Sequence, residues 1–338
     1  MMKHKAILYI GNDLSRKSKY NSVMDTLCEK FTNEDILVYR SSSKMNKLLR
    51  LVEMVYSFFI YKNKVDYILI DTFSTTNFYY AYCISQLSRI FKKPYIPILH
   101  GGNLPDRLKN SKTKSDQIFK NAFVNISPSN YLNSIFNKHG YSSALIPNSI
   151  DSLAYNFLKR EEIKPTLLYV RAFAEIYNPQ MAIHVLKKIK KNYPSAKLCM
   201  IGPDKDGTLK QLKHLVEKYE LVDAVEFTGV LKKEEWHKKS TEFDVFINTT
   251  NIDNTPVSII EAMALGIPVV STNVGGITYL IDDKVDGLLV NKNDANAMAA
   301  AVSELISGNY KSIPVSARTK AESFDWEHIK ELWFSILK

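Results

Sequence analysis

Short apolar runs alternate with longer amphipathic stretches along the whole chain. AILYIG (6–11), DILVYR (35–40), DYILID (66–71) and PYIPILHG (94–101) are rich in β-branched and aromatic residues and predict buried strands. AFVNIS (122–127) adds another, and helical periodicity lies between, as over 22–31 and 80–91. A second series follows: TLLYVR (166–171), KLCMIG (197–202), AVEFTG (224–229), DVFINT (244–249) and IPVVST (267–272), with GLLV (287–290) a shorter strand. Helices are predicted among them over 180–191, 208–219, 233–239 and 256–265. Such alternation predicts an α/β protein with parallel sheets covered by helices on both faces. The strand ALI ends at Pro147, and a charged connector runs to residue 164. Two domains are therefore expected, 1–150 and 160–323, with the terminal helix 324–338 packing back on the first. Two α/β halves on a short connector predict a cleft between the carboxyl ends of their sheets.

The length, 338 residues, suits two domains, and 45% hydrophobic with 24% charged residues is an ordinary globular mixture. Cys28, Cys83 and Cys199 form no C-x-x-C pair and no metal spacing, and read as buried thiols in a reducing compartment. The basic start, residues 1–5, is followed by an apolar run too short for a signal core. No apolar run reaches the roughly 18 residues a bilayer span needs. The expected location is cytoplasmic, with a peripheral position on the inner face of the cell membrane as a further expectation. The net charge of +10 comes from lysines spread along the chain. No compact basic and aromatic stripe accompanies them, which argues against nucleic acid and for solvated helix faces. LLRLVEMVYSFFIYKNK (48–64) is apolar with basic ends, and reads either as a core-facing helix or as an interfacial helix touching anionic lipid. No metal cluster is visible. The first loop lacks G-x-G-x-x-G, which disfavours nicotinamide binding.

The informative stretch is DNTPVSIIEAMALGIPVVSTNVGG, residues 253–276. Thr255 is the expected N-cap, with Pro256 at the first helical position. Gly266 stands where a left-handed residue ends a helix, and Pro268 forbids continuation. The free amides of Val257 and Ser258 then form an anion site suited to a phosphate. Glu261, one turn on, can accept two hydrogen bonds from a vicinal diol such as a ribose. Asp253, just ahead, can accept from sugar hydroxyls. The plainer readings are a solvated glutamate and a turn-forming aspartate. Yet AMALG after Glu261 is apolar, and a carboxylate there needs a partner. Gly275–Gly276 reads as a tight turn, near the cleft or merely structural.

The segment resembles the signature of glycosyltransferase family 4, retaining enzymes of the GT-B fold. The likeness lies in Asp253, seven residues, Glu261, then AMALGIPVV and NVGG. DGLLVNKNDANAMAAAV (286–302), IPNSID (146–151) and FTGV (227–230) extend it, strongly over the second half of the chain and weakly over the first. The resemblance implies two Rossmann-like domains facing each other across a cleft and no bound metal or cofactor. Glu261 would bind the ribose of a UDP- or GDP-linked sugar. Asp253, where the family usually has glutamate, would hold the sugar hydroxyls. Backbone from Asn254, Thr255, Val257 and Ser258 would meet the sugar and distal phosphate. Val230 and Leu231 would border the base. His100, in LHGGN, would face the sugar, and Gly11 would let a loop pass close to the diphosphate.

One departure stands out. The family carries an arginine and a lysine after the first strand of the second domain, where this chain reads LLYVRAFAEIYNP (167–179). Arg171 can be the arginine, with Ile176 at the lysine position; a shift of one residue gives Ala172 and Tyr177. Either way the lysine is missing. Arg171, Lys205 in GPDKDG and the helix start at Val257 are the candidate replacements. The resemblance implies a hexosyltransferase-type enzyme acting on a glycan or lipid-linked glycan in bacterial surface polysaccharide synthesis: capsule, O-antigen or exopolysaccharide. The alternative is a nucleotide-sugar-binding protein with little or no transferase activity.

Overall fold

A computed structural model describes residues 5–13 and 22–338. The basic start, apart from Lys5, lies outside the described residues. The chain divides into two compact units, Met1–Ser149 with Ile329–Lys338, and Ile150–His328.

The first unit runs β1 (Ala6–Ile10), α1 (Val23–Asn33), β2 (Leu37–Ser41), α2 (Lys47–Tyr61), β3 (Tyr67–Thr72), α3 (Asn77–Ile90), β4 (Tyr95–Leu99), α4 (Leu104–Asn110), α5 (Lys112–Phe119), β5 (Asn125–Ser127), α6 (Asn130–Lys138) and β6 (Ser143–Leu145). Its six strands lie in the order β2-β1-β3-β4-β5-β6, and every pairing is parallel. β1, β3, β4 and β5 are buried along their whole length, which is why they read as unbroken apolar runs. Ser22 caps α1 in a box with Asp25, two reciprocal bonds that fix where the helix starts.

The second unit runs β7 (Thr166–Val170), α7 (Pro179–Ile189), β8 (Lys197–Ile201), α8 (Thr208–Lys218), β9 (Val225–Gly229), α9 (Lys233–Ser240), β10 (Val245–Asn248), α10 (Val257–Ala264), β11 (Val269–Thr272), α11 (Ile277–Leu280), β12 (Leu288–Val290), α12 (Ala295–Ile306) and α13 (Ile313–Glu322). The strand order is β12-β11-β10-β7-β8-β9, again all parallel. A last helix, α14 (Trp326–Ile336), begins in this unit and ends in the first. Trp333 meets Phe31 edge to face at 5.3 Å, Lys330 pairs with Glu34 at 3.2 Å, and the Tyr67 hydroxyl donates to the Lys338 carbonyl at 3.0 Å.

Candidate functional site

In each sheet the strand order reverses beside the strand that comes first in sequence. The reversals fall between β1 and β3 in the first unit and between β7 and β10 in the second. Loops leaving two such strands at their carboxyl ends part to opposite faces and open a crevice where ligands bind. Of the predicted site residues, Gly11 follows β1, Arg171 follows β7 and Asp253 lies beyond β10, strands that flank these reversals.

At the second reversal, Arg171 follows β7 and Asp253 follows β10, and the Arg171 Nη2 lies 2.7 Å from the Asp253 Oδ2. The contact is close without hydrogen-bond alignment: Asp253 Oδ2 and Arg171 Nε are both buried with no hydrogen-bond partner. The other carboxylate oxygen accepts the Asn254 backbone N–H at 2.9 Å, so that amide is already spent on the protein. Burial pushes the Asp253 carboxyl above the usual carboxylate range, and the Arg171 charge pulls it partly back. Arg171 itself is lowered by burial, an effect that Asp253 and then Tyr177 outweigh. The Tyr177 ring lies under its guanidinium at 4.3 Å. Arg171 therefore pairs with Asp253 and not with the nearby Glu175, whose amide instead donates to Asp206.

Lys205 occupies the loop after β8 and donates its amide to the Phe173 carbonyl at 3.0 Å. Its ammonium is pushed down by desolvation and then by the Arg171 charge. The residue itself lies at an exposed position. Ile176, one of the two residues that could stand at the lysine position, is 44% exposed.

Gly275 and Gly276 are more than a turn. A Cβ at Gly275 would sit 2.1 Å from the Asp253 carbonyl oxygen, and one at Gly276 would sit 2.0 Å from that of Asn254. The Gly276 N–H donates to the Asp253 carbonyl at 3.1 Å. These two glycines hold the backbone that presents Asp253.

The helix start differs from expectation by one residue. Pro256, extended at φ −65° and ψ 115°, is the cap residue in place of Thr255, and α10 begins at Val257. Proline disfavours helical backbone at the residue before it, which keeps Thr255 out of the helix entrance, and its ring is compatible with the extended cap conformation. The Ile259 N–H closes on the Pro256 carbonyl at 3.1 Å. Val257 and Ser258 carry the amides that a helix start leaves without intrahelical acceptors. At the other end Gly266 takes φ +74°, the left-handed ending its sequence foretold.

Glu261 is buried, which removes the reading of a solvated helix residue. Its Oε1 accepts the Tyr155 hydroxyl at 2.8 Å and lies 3.5 Å from Lys233 Nζ and 3.9 Å from His237 Nε2. Tyr155 rises well above its ordinary value, first by burial and then by the Glu261 charge. All these contacts fall on Oε1. The His237 Nε2 is itself buried without a hydrogen-bond partner. Leu231 packs into the same apolar cluster as Val257, and Val230 is half-buried beside it in the chain. Nothing in the sequence pattern signalled Tyr155 or the α9 pair.

At the first reversal, His100 follows β4 and its Nε2 lies 2.8 Å from Asp71 Oδ1. The Tyr9 hydroxyl donates to the same oxygen at 2.8 Å. With Nε2 engaged by the carboxylate, Nδ1 is the ring nitrogen left for another partner. Phe73 stacks on the imidazole at 4.8 Å. Gly11 ends β1 where a Cβ would lie 2.4 Å from Asp71 Oδ2. The glycine is therefore required by the carboxylate behind it. Asp71, the last residue of DYILID, had one usable signal, its place at the carboxyl end of a strand beside the reversal.

Among the described residues no group of His, Cys, Asp or Glu is arranged to hold a metal, and no helix is long and apolar enough to cross a membrane.

Comparison with known proteins bears on the fold and on the second unit's family. Residues 155–322, nearly the whole second unit, match the model of the family described as glycosyl transferases group 1. The chain is 34% identical over 139 residues to a putative colanic acid biosynthesis glycosyltransferase, WcaL, of Salmonella typhimurium, covering 38% of this chain and 34% of that protein. It is 35% identical over 127 residues to the amylovoran biosynthesis glycosyltransferase AmsK of Erwinia amylovora, covering 35% and 31%. The matched stretch thus spans about a third of the length of these relatives. Among solved structures, sucrose-phosphate synthase from Thermosynechococcus elongatus superposes with a TM-score of 0.83 at 19% identity over 98% of both chains. Anabaena HepE, solved with UDP and glucose, gives 0.79 at 16% identity over 99% of both. The fold is GT-B.

Proposed function

We propose that this protein is a retaining glycosyltransferase that moves a sugar from a nucleoside diphosphate to a hydroxyl acceptor without a bound metal. The observation that carries the reading is the buried, unsatisfied pair at the second reversal. Arg171 Nε and Asp253 Oδ2 lack partners, and such groups are costly unless something supplies the missing bonds. A donor sugar nucleotide supplies both kinds. Its hydroxyls donate to Asp253, and its diphosphate accepts from Arg171, Lys205 and the Val257–Ser258 amides. Glu261 then takes the ribose diol on the oxygen its protein partners leave open, with Val230 and Leu231 beside the base. In the transfer, the bond from the anomeric carbon to the diphosphate breaks and a bond to the acceptor oxygen forms on the same face. The proton of the acceptor hydroxyl passes to an oxygen of the departing diphosphate, and the cations stabilise the negative charge which that leaving group gains as its bond to the sugar breaks. His100, oriented by Asp71, is assigned to the sugar. The relatives named for colanic acid and amylovoran synthesis support a surface polysaccharide, free or lipid-linked, as acceptor, at a cytoplasmic site.

HepE is solved with UDP, so uridine is the base to try first and guanosine the second. A nucleoside diphosphate at 100 times its dissociation constant should stabilise the folded protein by about 2.7 kcal/mol, read as a rise in melting temperature. Silence toward both at millimolar concentration would remove the donor site. One feature favours a second reading, a binding protein without turnover: in either register the family lysine is replaced, by an exposed Ile176 or by Tyr177. A nucleotide-induced shift with no product from any donor and acceptor mixture, with or without EDTA, would establish it.

A further inference from the structure

Helix α2 has two apolar faces. Leu51, Met54, Val55 and Phe58 pack into the core of the first unit. On the opposite side Leu48, Leu49, Val52, Tyr56, Phe59 and Ile60 are 70%, 55%, 58%, 65%, 47% and 39% exposed. At 3.6 residues per turn these six fall within about a third of the helix circumference, and they are every residue in that arc. Single exposed apolar residues are ordinary, but a continuous stripe of six marks a surface that meets something. The core accounts for one face of the helix and leaves this one unexplained.

The charges around the stripe say what it meets. Lys44 lies just before the helix and Lys62 and Lys64 just after it. Lys62 Nζ sits 4.6 Å over the Phe91 ring, which meets Phe59 at 5.5 Å, so the stripe continues onto the end of α3. Exposed Ile90 and Lys92 flank Phe91 and repeat the same combination of apolar and basic residues. The acidic residue of α2, Glu53, lies outside the arc and is engaged by the Ser42 hydroxyl. A purely apolar stripe framed by lysines, with no carboxylate within it, complements a surface that is apolar beneath and anionic above. The helix, 15 residues and about 22 Å long, is too short to span a bilayer but suited to lie in its interface.

We propose that the outer face of α2, extended by Phe91, docks this protein on an anionic phospholipid bilayer. The aliphatic and aromatic side chains enter the acyl boundary, and the lysines meet the headgroups. The assignment stands on the first unit alone and is independent of whether the second unit transfers sugar.

The test is co-sedimentation of the full chain with phosphatidylcholine vesicles, with and without phosphatidylglycerol. Wild type should bind the phosphatidylglycerol vesicles at least tenfold better, and salt should weaken the binding. Val52→Glu with Phe59→Glu should abolish it while the melting temperature and the nucleotide-induced shift stay as in wild type. Lys44→Gln with Lys62→Gln, which leaves the apolar stripe intact, should weaken binding severalfold toward the level on pure phosphatidylcholine. Three results would overturn the proposal. One is no binding by well-folded wild type at low salt, and another is unchanged binding by the double glutamate variant. The third is a lipid-free dimer that this variant converts to monomer, which would make the face a contact between copies.

Discussion

The two strand-order reversals are built alike and finished differently. At the first, the carboxylate near the end of β3 is held from within: Asp71 Oδ1 meets both Tyr9 and His100 at 2.8 Å. At the second, the carboxylate after β10 is left wanting: Asp253 Oδ2 touches Arg171 at 2.7 Å yet has no aligned donor, and Arg171 Nε has no acceptor. A buried carboxylate oxygen held by two protein donors fixes a geometry, here the direction of one imidazole. A buried carboxylate with bonds missing stores a cost that a ligand can relieve. On this contrast the first reversal is a rigid support that aims one side chain, and the second is where a charged ligand would complete the structure.

The strongest test of the contrast is Arg171→Met. If the guanidinium answers the charge that develops on a leaving diphosphate, its loss lowers turnover by about two orders of magnitude or more, with a smaller loss of ground-state nucleotide affinity. Arg171→Lys should recover part of this, because a point charge replaces some of the field but not the planar fork. Steady-state kinetics beside nucleotide titration separates the two effects. A variant as active as wild type would shift diphosphate neutralisation to Lys205, the cation beside it.

A pair of substitutions then asks whether the reversals divide the labour as proposed. Glu261→Ala removes a charged partner of the ribose and should cost about 1.5–3 kcal/mol of nucleotide binding, roughly 10- to 150-fold in affinity. Glu261→Gln should cost less. His100→Ala should leave the affinity for the bare nucleotide near wild type and lower turnover, and Asp71→Asn should move the same two quantities in the same directions. Calorimetry with the nucleoside diphosphate reads the first pair and product formation the second. Equal losses of bare-nucleotide affinity from His100→Ala would end the division.

How far these roles were legible in the sequence differs between the two places for a physical reason. The alternation of apolar runs and amphipathic stretches made both parallel sheets readable, because strands buried on both faces are continuous apolar words. Asp253, Glu261, Gly266 and the glycine pair lie within one stretch of 24 residues, so local rules about caps and spacing could reach them. Asp71 and His100 are 29 residues apart and meet because β3 and β4 are neighbours. Tyr155 and Glu261 are 106 apart, joined by a connector whose sequence carries no periodic signal. Local reading also placed the cap of α10 on Thr255, since a hydroxyl before Pro is the commoner pattern. The shift to Pro256 depends on how the loop from Asp253 is pinned by Gly275 and Gly276. The glycines themselves were seen as a turn, but the backbone they approach could be known only from the fold.

The smallest expected effect bears most directly on what the unsatisfied pair is for. Burial raises the Asp253 carboxyl pKa in the folded protein, and the Arg171 charge only partly reverses this. A carboxyl whose folded value lies above its unfolded one binds its proton more tightly when folded. Its contribution to stability is therefore fully present below the unfolded value, near 3.8, and is lost as pH rises through the higher folded value. At neutral pH the ionised Asp253 then costs the ligand-free fold something. Asp253→Asn should raise the melting temperature of the empty protein at pH 7, and the gap over wild type should close as the pH falls toward 4. The opposite sign has an equally definite meaning. If Arg171 depends on Asp253 as an ordinary buried ion pair, removing the carboxylate strands a cation and destabilises the fold at neutral pH. A higher melting temperature accompanied by lost turnover would mark Asp253 as a residue kept for its ligand at the expense of the empty protein. A lower one would mark the pair as structural, and the difference between the two reversals would then be one of alignment and not of purpose.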